Sequence, residues 1–351
     1  MGSSSQAVDT IGPAFERTIK QLFKPFRLGH WLRLGVVSLL TWEFSGGGFN
    51  FPGSSGPSDT SEELLAATPA VPVIIGATAA ALILMLFLTY VASVFRFILF
   101  DSVLNDRCAI AEGWARWQRQ GRSLFLWWIG FTAIMIFVFT AFFGVPAGLA
   151  WVAGVFDAPG EHVVLLVIGG VVLFFAFVAL IVATLVVSLA VKDWVVPLMA
   201  IENIGVLEGW RRLWPMVNVN KSAYILFVVM KALLALGSAI FFTILYVLVA
   251  LMLFLAVLFP GIIAALVGQA AGFTWSPATI ALVSVVGGIV ILVVLYFMAL
   301  IYTPALVFFQ AYALHFFGTQ YPKLGELLTS PTPPTTLEGP AAPAPPSPVT
   351  P

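Results

Sequence analysis

Lys231 is the side chain whose position most suggests chemistry, because it lies inside a long apolar segment. A run of apolar or neutral residues separates it from Ser222. At a rise of about 1.5 Å per helical residue, Lys231 would sit roughly 10–14 Å inside that segment. A cation at this depth predicts a functional site, with Asp193 or Glu202 as its partner. The favoured alternative is a lysine stem that snorkels to the cytoplasmic surface.

A second pattern combines acidic, basic and indole side chains at helical spacing. Glu112 and Arg116 are four residues apart with a tryptophan between them, and so are Glu208 and Arg212. Residues four apart share a helical face, where an ion pair contributes about 0.2–0.5 kcal/mol. Such a collar could bind lipid headgroup phosphates, although pure membrane anchoring is the favoured interpretation. The collar residues are Trp114, Arg116, Arg119, Trp210, Arg211, Arg212 and Trp214.

Composition places the chain among membrane proteins. Hydrophobic residues make up 60% of the 351 positions and charged residues 9%, against roughly 45–50% and about 25% in soluble domains. The net charge is zero, which gives no reason to expect a nucleic-acid partner. His30, His162 and His315 are scattered, so we predict no metal site. Cys108 is expected to be a free structural thiol.

No motif for nucleophilic catalysis, phosphate cradling or paired carboxylates occurs in the sequence. We therefore expect no enzyme activity and no cofactor.

Hydropathy predicts an all-α integral membrane protein with six transmembrane helices. Some of these segments are longer than the roughly 20 residues that cross a bilayer, which predicts tilted helices or helices that extend into water. The six predicted spans are residues 28–44, 71–100, 124–156, 162–191, 223–259 and 277–317.

The chain is internally repeated. A shift of 96 residues places Arg96 on Lys192 and Glu112 on Glu208 without a gap. We extend this to three hairpin repeats, each preceded by a cytoplasmic amphipathic helix that lies in the membrane interface. The predicted division is a flexible N-terminus 1–14, a membrane domain 15–320 with repeats at about 15–105, 106–200 and 201–320, and a disordered proline-rich tail 321–351.

Several local features carry their own predictions. Gly144 and Gly148 flank a proline and predict a kink with a close helix contact. Pro304 is expected to break the sixth span. Residues 260–276 have no charge, which is typical of an interfacial loop or a re-entrant segment. Arg96 and Lys192 are expected to cap helix ends and to pair locally.

The distribution of cations predicts the orientation. All sixteen Lys and Arg residues fall in the N-terminal arm, the two collar stretches, the adjacent helix ends or the tail, and the three opposite loops have none. Both termini are therefore expected in the cytoplasm.

Three segments carry a resemblance to known proteins: residues 15–35, VVPLMAIE at 195–202 and EGWRRLWPM at 208–216. With them, residues 15–320 resemble uncharacterised bacterial six-span proteins, which are similar to the membrane domain in front of some glycerophosphoryl diester phosphodiesterases. The sequence lacks a catalytic barrel after the membrane part, so no catalytic residue is carried over. The resemblance implies a membrane module of unknown role in the bacterial cytoplasmic membrane.

Three function classes remain open. The favoured one is a non-enzymatic scaffold, anchor or accessory subunit that engages membrane lipids or other membrane proteins at the cytoplasmic face. The alternative is a transporter or lipid-handling protein with a pathway between the helical repeats, and the third is a membrane-embedded enzyme. A polar cavity near the midplane of the membrane and lined by Lys231 would favour the alternative, whereas a solid apolar helix interior would favour the scaffold.

Overall fold

The chain is built from helices throughout the part that the structure describes. The computed structural model describes residues 6–24, 27–41, 70–106, 108–270 and 277–329. The helices are α1 (Gln6–Asp9), α2 (Ile11–Phe23), α3 (Leu28–Thr41), α4 (Ala70–Asn105), α5 (Ile110–Val152), α6 (Val163–Ala190), α7 (Val196–Glu202), α8 (Val206–Val219), α9 (Lys221–Ala270), α10 (Pro277–Gln320) and α11 (Pro322–Thr329), with a π-helical turn, Val191–Val195, between α6 and α7.

Five helical segments among the described residues are long and apolar enough to cross a membrane, which fits an integral membrane protein. Helix α3, the predicted first span, has only 14 residues and would measure about 21 Å; residues 42–44 of that span lie outside the described part. The five segments are Ile75–Asn105, Ile110–Val152, Val163–Glu202, Lys221–Met252 and Ala281–Gln320.

The first collar stretch is part of a spanning helix, whereas the second forms a helix of its own. Helix α5 begins at Ile110 and continues without interruption into the third predicted span, so a separate interfacial helix at this place is wrong. The second copy, α8, ends before Asn220 and α9 begins at Lys221. Asn218 and Asn220 favour this break because asparagine side chains compete for backbone hydrogen bonds.

Three local predictions are wrong. Residues 261–270 continue α9 as helix, so the loop or re-entrant segment predicted for 260–276 does not begin there, and 271–276 lie outside the described residues. Pro304 lies inside α10 without ending it, since a spanning helix tolerates the loss of one backbone hydrogen bond. A β-carbon on Gly144 would meet only its own helix, and one on Gly148 would meet open space, so neither makes a close helix contact.

Residues 6–14 and 322–329 are more ordered than predicted. Ala7 and Ala14 are fully buried, and the Tyr312 hydroxyl donates a 3.0 Å hydrogen bond to the Ala7 carbonyl. The flexible segment 1–14 is therefore wrong for residues 6–14. The predicted tail from 321 is likewise wrong for α11, where Leu324 is buried against α10. Residues 1–5 and 330–351 lie outside the described part.

The packed core lies at one end of the long helices, where the cations also concentrate. The most apolar stretches of α6 and α9 have no buried residue. Packing there has no hydrophobic driving force if lipid surrounds the helices, because lipid tails are as apolar as the side chains. The large fully buried core side chains include Phe97, Phe100, Leu198, Phe227, Tyr312, Phe316 and Phe317.

Helices α4 and α5 approach each other closely at Gly121. A β-carbon there would lie 3.0 Å from the Val94 Cα atom. We expect Gly121→Ala to destabilise the protein by about 1–3 kcal/mol, because the added methyl group meets backbone. Gly130→Ala is the matched control on the same helix, since a β-carbon at Gly130 has nothing within 4 Å. Thermal unfolding in detergent should separate the two variants; equal melting temperatures would contradict the close approach.

Candidate functional site

The π-helical turn places two charged residues at the junction of α6 and α7. It contains Lys192 and Asp193 and is followed by Pro197. Pro197 has no N–H to donate to the Asp193 carbonyl, and its ring would clash with that carbonyl in a regular helix. One widened turn relieves this conflict, and such turns are frequent at functional sites.

Lys231 pairs with Asp193. The Lys231 Nζ atom donates a hydrogen bond to Asp193 Oδ2, and the exposed fractions of the two side chains are 18% and 1%. The ammonium group also lies 6.0 Å from the centre of the Phe227 ring. The lysine thus connects α9 to the π-helical turn, and its partner is Asp193 rather than Glu202.

A cavity of about 370 Å³ surrounds this ion pair. It lies between α4, α6, α9 and α10, with the π-helical turn at its charged end. Its apolar wall includes Val182, Leu185, Val186 and Leu189, which follow one face of α6. From Val182 to Lys192 the lining extends about 15 Å along the helix axis. The strongly polar lining residues are Arg96, Lys192, Asp193, Lys231 and Gln310.

Positively charged side chains outnumber negatively charged ones in the lining of this cavity, and one lining amide has unused hydrogen-bonding capacity. Three of its lining side chains are cations and one is a carboxylate. Gln310 is only 4% exposed, and none of the hydrogen bonds among the described residues involves its side chain. A buried amide normally has a partner, so Gln310 has donor and acceptor capacity for a molecule in the cavity. The arrangement suits an anionic head with an apolar extension.

Glu202 belongs to a different cluster. It accepts a 2.6 Å hydrogen bond from the Tyr321 hydroxyl and pairs with Arg212 and, at 3.5 Å, with Lys323. Its carboxylate thereby ties α7 to α8 and to the start of α11. The structure does not bring Glu202 to Lys231.

The collar residues differ between the two copies. Arg212 lies 3.2 Å from Glu208 as the spacing predicted. No equivalent pair joins Glu112 to Arg116 among the described ion pairs; the Arg116 guanidinium instead lies 5.1 Å from the centre of the Trp117 ring. The difference arises because the neighbouring ring offers the cation an aromatic face.

The tryptophans of the collar also differ in their surroundings. Trp114 packs edge-on against Tyr90, with ring centres 6.0 Å apart, and Trp210 lies 6.4 Å from Trp127. Trp214, by contrast, is 64% exposed. Arg119 is exposed as well, so the two helices bring cations and one indole to the surface.

A family of unknown function, DUF7544, matches residues 5–327 of the chain. The chain belongs to this family. No curated protein and no solved structure matches it. The DUF7544 match includes every cavity residue. The resemblance to the membrane domain of the phosphodiesterases stays a prediction.

In this DUF7544 chain, the sequence did not reveal two side chains that the structure places at the cavity or at a helix end. One is Gln310, whose only signal is a lone amide in the apolar run between Pro304 and His315. The other is Arg17, which donates hydrogen bonds of 3.0 and 2.8 Å to the carbonyls of Val103 and Leu104. It caps the end of α4, and no local spacing predicts a contact across so many residues.

Cys108 lies close to this end of α4 and is buried. Burial raises the pKa of its thiol, an effect that a hydrogen bond with Ser102 and the charge of Arg33 only partly oppose. A thiol with a raised pKa is a poor nucleophile and metal ligand.

The two adjacent collar arginines should respond differently to truncation. Arg211 is 83% exposed and lies 3.6 Å from Glu208, whereas Arg212 bridges Glu202 and Glu208. We expect Arg211→Ala to weaken association of the purified protein with anionic vesicles and to leave its melting temperature unchanged. Arg212→Ala should lower the melting temperature, because Glu202 loses one of its cations. Identical behaviour of the two variants in both assays would contradict this division.

Proposed function

We propose that this DUF7544 protein is a lipid-handling membrane protein that binds an anionic amphiphile in the cavity around Lys231. The observation that carries the proposal is the pairing of a cationic end with an apolar wall in one cavity. Arg96, Lys192 and Lys231 supply attraction for an anionic headgroup. The aligned face of α6 supplies a surface for an acyl chain.

The same cavity argues against a purely structural role. A scaffold needs no cations in an apolar cavity, and charged side chains within an apolar segment are costly and usually mark a functional site. Asp193 pairs with Lys231, and the positively charged end of the cavity would attract a molecule with a negative headgroup. The exposed apolar flanks of α6 and α9 would then contact bilayer lipid from which such a molecule could enter. A scaffold or accessory role, which these flanks could also serve, remains the second candidate.

The membrane arrangement is part of the proposal. We propose six spans, with α3 as a short first span packed between α4 and α10, and the cationic end in the bacterial cytoplasm. Support for a repeat comes from two turns of one design. Asp106 and Asn203 adopt positive φ angles of 52° and 54°, one residue out of the 96-residue register, and each lies directly after a helix and shortly before a collar stretch.

The glycines that directly follow Glu112 and Glu208 give further support for a repeat. A β-carbon on Gly113 would lie 3.0 Å from Ile98, and one on Gly209 would lie 2.9 Å from Val195. In both copies the helical turn that carries the collar glutamate and tryptophan therefore packs closely on the helical segment that precedes it.

Membrane-impermeant thiol labelling of Arg119→Cys, Arg211→Cys and Asp157→Cys tests the orientation. The first two should label only from the cytoplasmic side and the third only from the other.

Lipid analysis of the full chain tests the proposed function. The protein purified in mild detergent should retain an anionic lipid in near-equimolar amount after extensive washing. The double variant Lys192→Gln with Lys231→Gln removes two of the three cavity cations and should lose most of that lipid. Lys221→Gln, at an exposed position before the span, is the control and should retain it. Equal retention by all three proteins would overturn the proposal, and a stably co-purifying protein without bound lipid would favour the scaffold.

A further inference from the structure

We infer that Gln310 recognises a hydroxyl group of the ligand, so that the cavity selects an anionic phospholipid with a hydroxyl-bearing headgroup. This inference rests on the proposed function and names the headgroup of the amphiphile. It follows from a buried amide that lines the cavity, has no protein partner among the described residues and can both donate and accept a hydrogen bond.

The amide of Gln310 faces the cavity. The residue is 4% exposed, so little of it reaches the outer surface. Some buried polar atoms of the described chain have neither a hydrogen bond nor accessible surface, among them the amide oxygens of Gln21 and Gln120. Neither amide atom of Gln310 belongs to that group, although no hydrogen bond of the described residues involves them. Both atoms therefore keep access to the space that the residue lines.

Gln310 lies at the charged end of the cavity rather than along its apolar wall. Tyr312 follows two residues later on α10, a rise of about 3 Å, and the centre of its ring lies 5.0 Å from that of Phe227. The Lys231 ammonium group lies 6.0 Å from the centre of the same Phe227 ring. Gln310 is thus at the level of the Lys231–Asp193 pair, where the headgroup of an anionic amphiphile would lie.

The chemistry of an amide favours a hydroxyl group over a phosphate oxygen alone. A glutamine side chain has two N–H donors and a carbonyl acceptor, and a buried polar group without a partner is costly. A phosphate oxygen can accept from the N–H groups but cannot satisfy the carbonyl. A hydroxyl group can satisfy either, because it donates as well as accepts. An ammonium headgroup could also donate, but it would bring a second positive charge close to Lys231.

The opening of the cavity favours a lipid over a soluble polyol phosphate. Val182, Leu185 and Val186 line the cavity and are nevertheless exposed. The apolar wall therefore continues to the outer side of α6, which would face bilayer lipid. A phospholipid can place its headgroup beside Lys231 and Gln310 while an acyl chain follows this wall. A soluble polyol phosphate would leave the wall without contacts.

Native mass spectrometry of the delipidated full chain compares two lipids that differ only in hydroxyl groups. Phosphatidylglycerol and phosphatidylpropanol with the same acyl chains carry the same negative charge and have headgroups of similar size. We expect phosphatidylglycerol to bind at least about tenfold more tightly, because phosphatidylpropanol leaves the Gln310 carbonyl without a donor. Phosphatidylethanolamine with those chains, and glycerol 3-phosphate as the soluble probe, should bind more weakly than phosphatidylglycerol.

Two glutamine variants on α10 separate recognition from structure. Gln310→Leu should bind the two lipids equally and should not lower the melting temperature of the delipidated protein, since the amide has no described protein partner to lose. Gln320 instead bonds to Gln6 and Asn220, outside the cavity lining. Gln320→Leu should therefore lower the melting temperature and keep the preference for phosphatidylglycerol. The preference is a ratio within one protein, so a variant of lower stability still reports it.

The outcomes separate this inference from the proposed function. If the natural protein binds phosphatidylpropanol at least as tightly as phosphatidylglycerol, hydroxyl recognition is overturned and the proposed function stands. A preference that persists in Gln310→Leu overturns the role of Gln310. Glycerol 3-phosphate bound as tightly as phosphatidylglycerol overturns the lipid as the source of the headgroup. Binding of none of the lipids, or tightest binding of phosphatidylethanolamine, overturns both proposals.

Discussion

Replacing Lys231 by methionine should lower the free energy of unfolding by about 3–5 kcal/mol, the usual cost of leaving a buried charge without its partner. Asp193 is 1% exposed, so its carboxylate is poorly solvated and loses its paired cation when the lysine is removed. Methionine preserves most of the volume of the lysine stem, which restricts the change to the loss of charge. Thermal or denaturant unfolding in detergent measures the effect.

A second substitution in the same chain should reverse most of this loss. Asp193→Asn removes the orphaned charge, and replacing a buried ion pair by neutral groups is often close to neutral for stability. Lys221→Met is the control for loss of a cation from α9. A single-variant cost below about 1 kcal/mol, the range of exposed ion pairs, would contradict a buried pair. Failure of the double variant to recover would show that packing, rather than charge, causes the loss.

Filling the apolar part of the cavity should abolish lipid retention. Ala232 lines the cavity one residue after Lys231, and Ala232→Trp would place an indole where we propose the acyl chain lies. We expect retained anionic lipid to fall by at least about tenfold, because the large side chain removes the apolar wall from contact with a ligand.

The neighbouring residue provides the matched control. Leu233 is 58% exposed and is not part of the cavity lining, so Leu233→Trp adds the same side chain to an outward position. This variant should retain lipid at the level of the natural protein. Undiminished retention in a folded Ala232→Trp variant would contradict the proposed position of the chain.

The spans were largely predictable from sequence because hydropathy reports directly on the medium around each segment. Segments 71–100, 162–191 and 277–317 correspond closely to α4, α6 and α10. Helix ends were harder to predict, because collar residues are compatible with either a separate helix or the extension of a span. Asn218 and Asn220 before Lys221 have no counterpart in the first copy and favour the break there.

The candidate site was predictable only in part. Lys231 was identified because a cation in an apolar segment stands out in any sequence, and Asp193 was one of its two suggested partners. Glu202 was the wrong choice because Arg212, Lys323 and Tyr321 already surround it. Neither the cavity nor the place of Gln310 in it could be predicted, since both depend on how four separate helices approach one another.

Helix α11 shows how amino-acid composition can mislead a prediction of disorder. The proline-rich segment starts only after residue 329, but the eight residues before it were predicted as disordered with it. Proline is well tolerated at the first position of a helix, and α11 begins with Pro322. Close contact between Gly318 and Gly325, where a β-carbon would lie 2.8 Å from a carbonyl oxygen, then holds α11 against α10.

The most direct test is an electron cryo-microscopy map of the full chain in nanodiscs that contain phosphatidylglycerol. We predict density for a headgroup beside Lys231, Arg96 and Lys192, continuous with density for a chain along Val182 and Leu185. A well-resolved cavity that contains no such density, or one filled by protein side chains, would contradict lipid binding at this site.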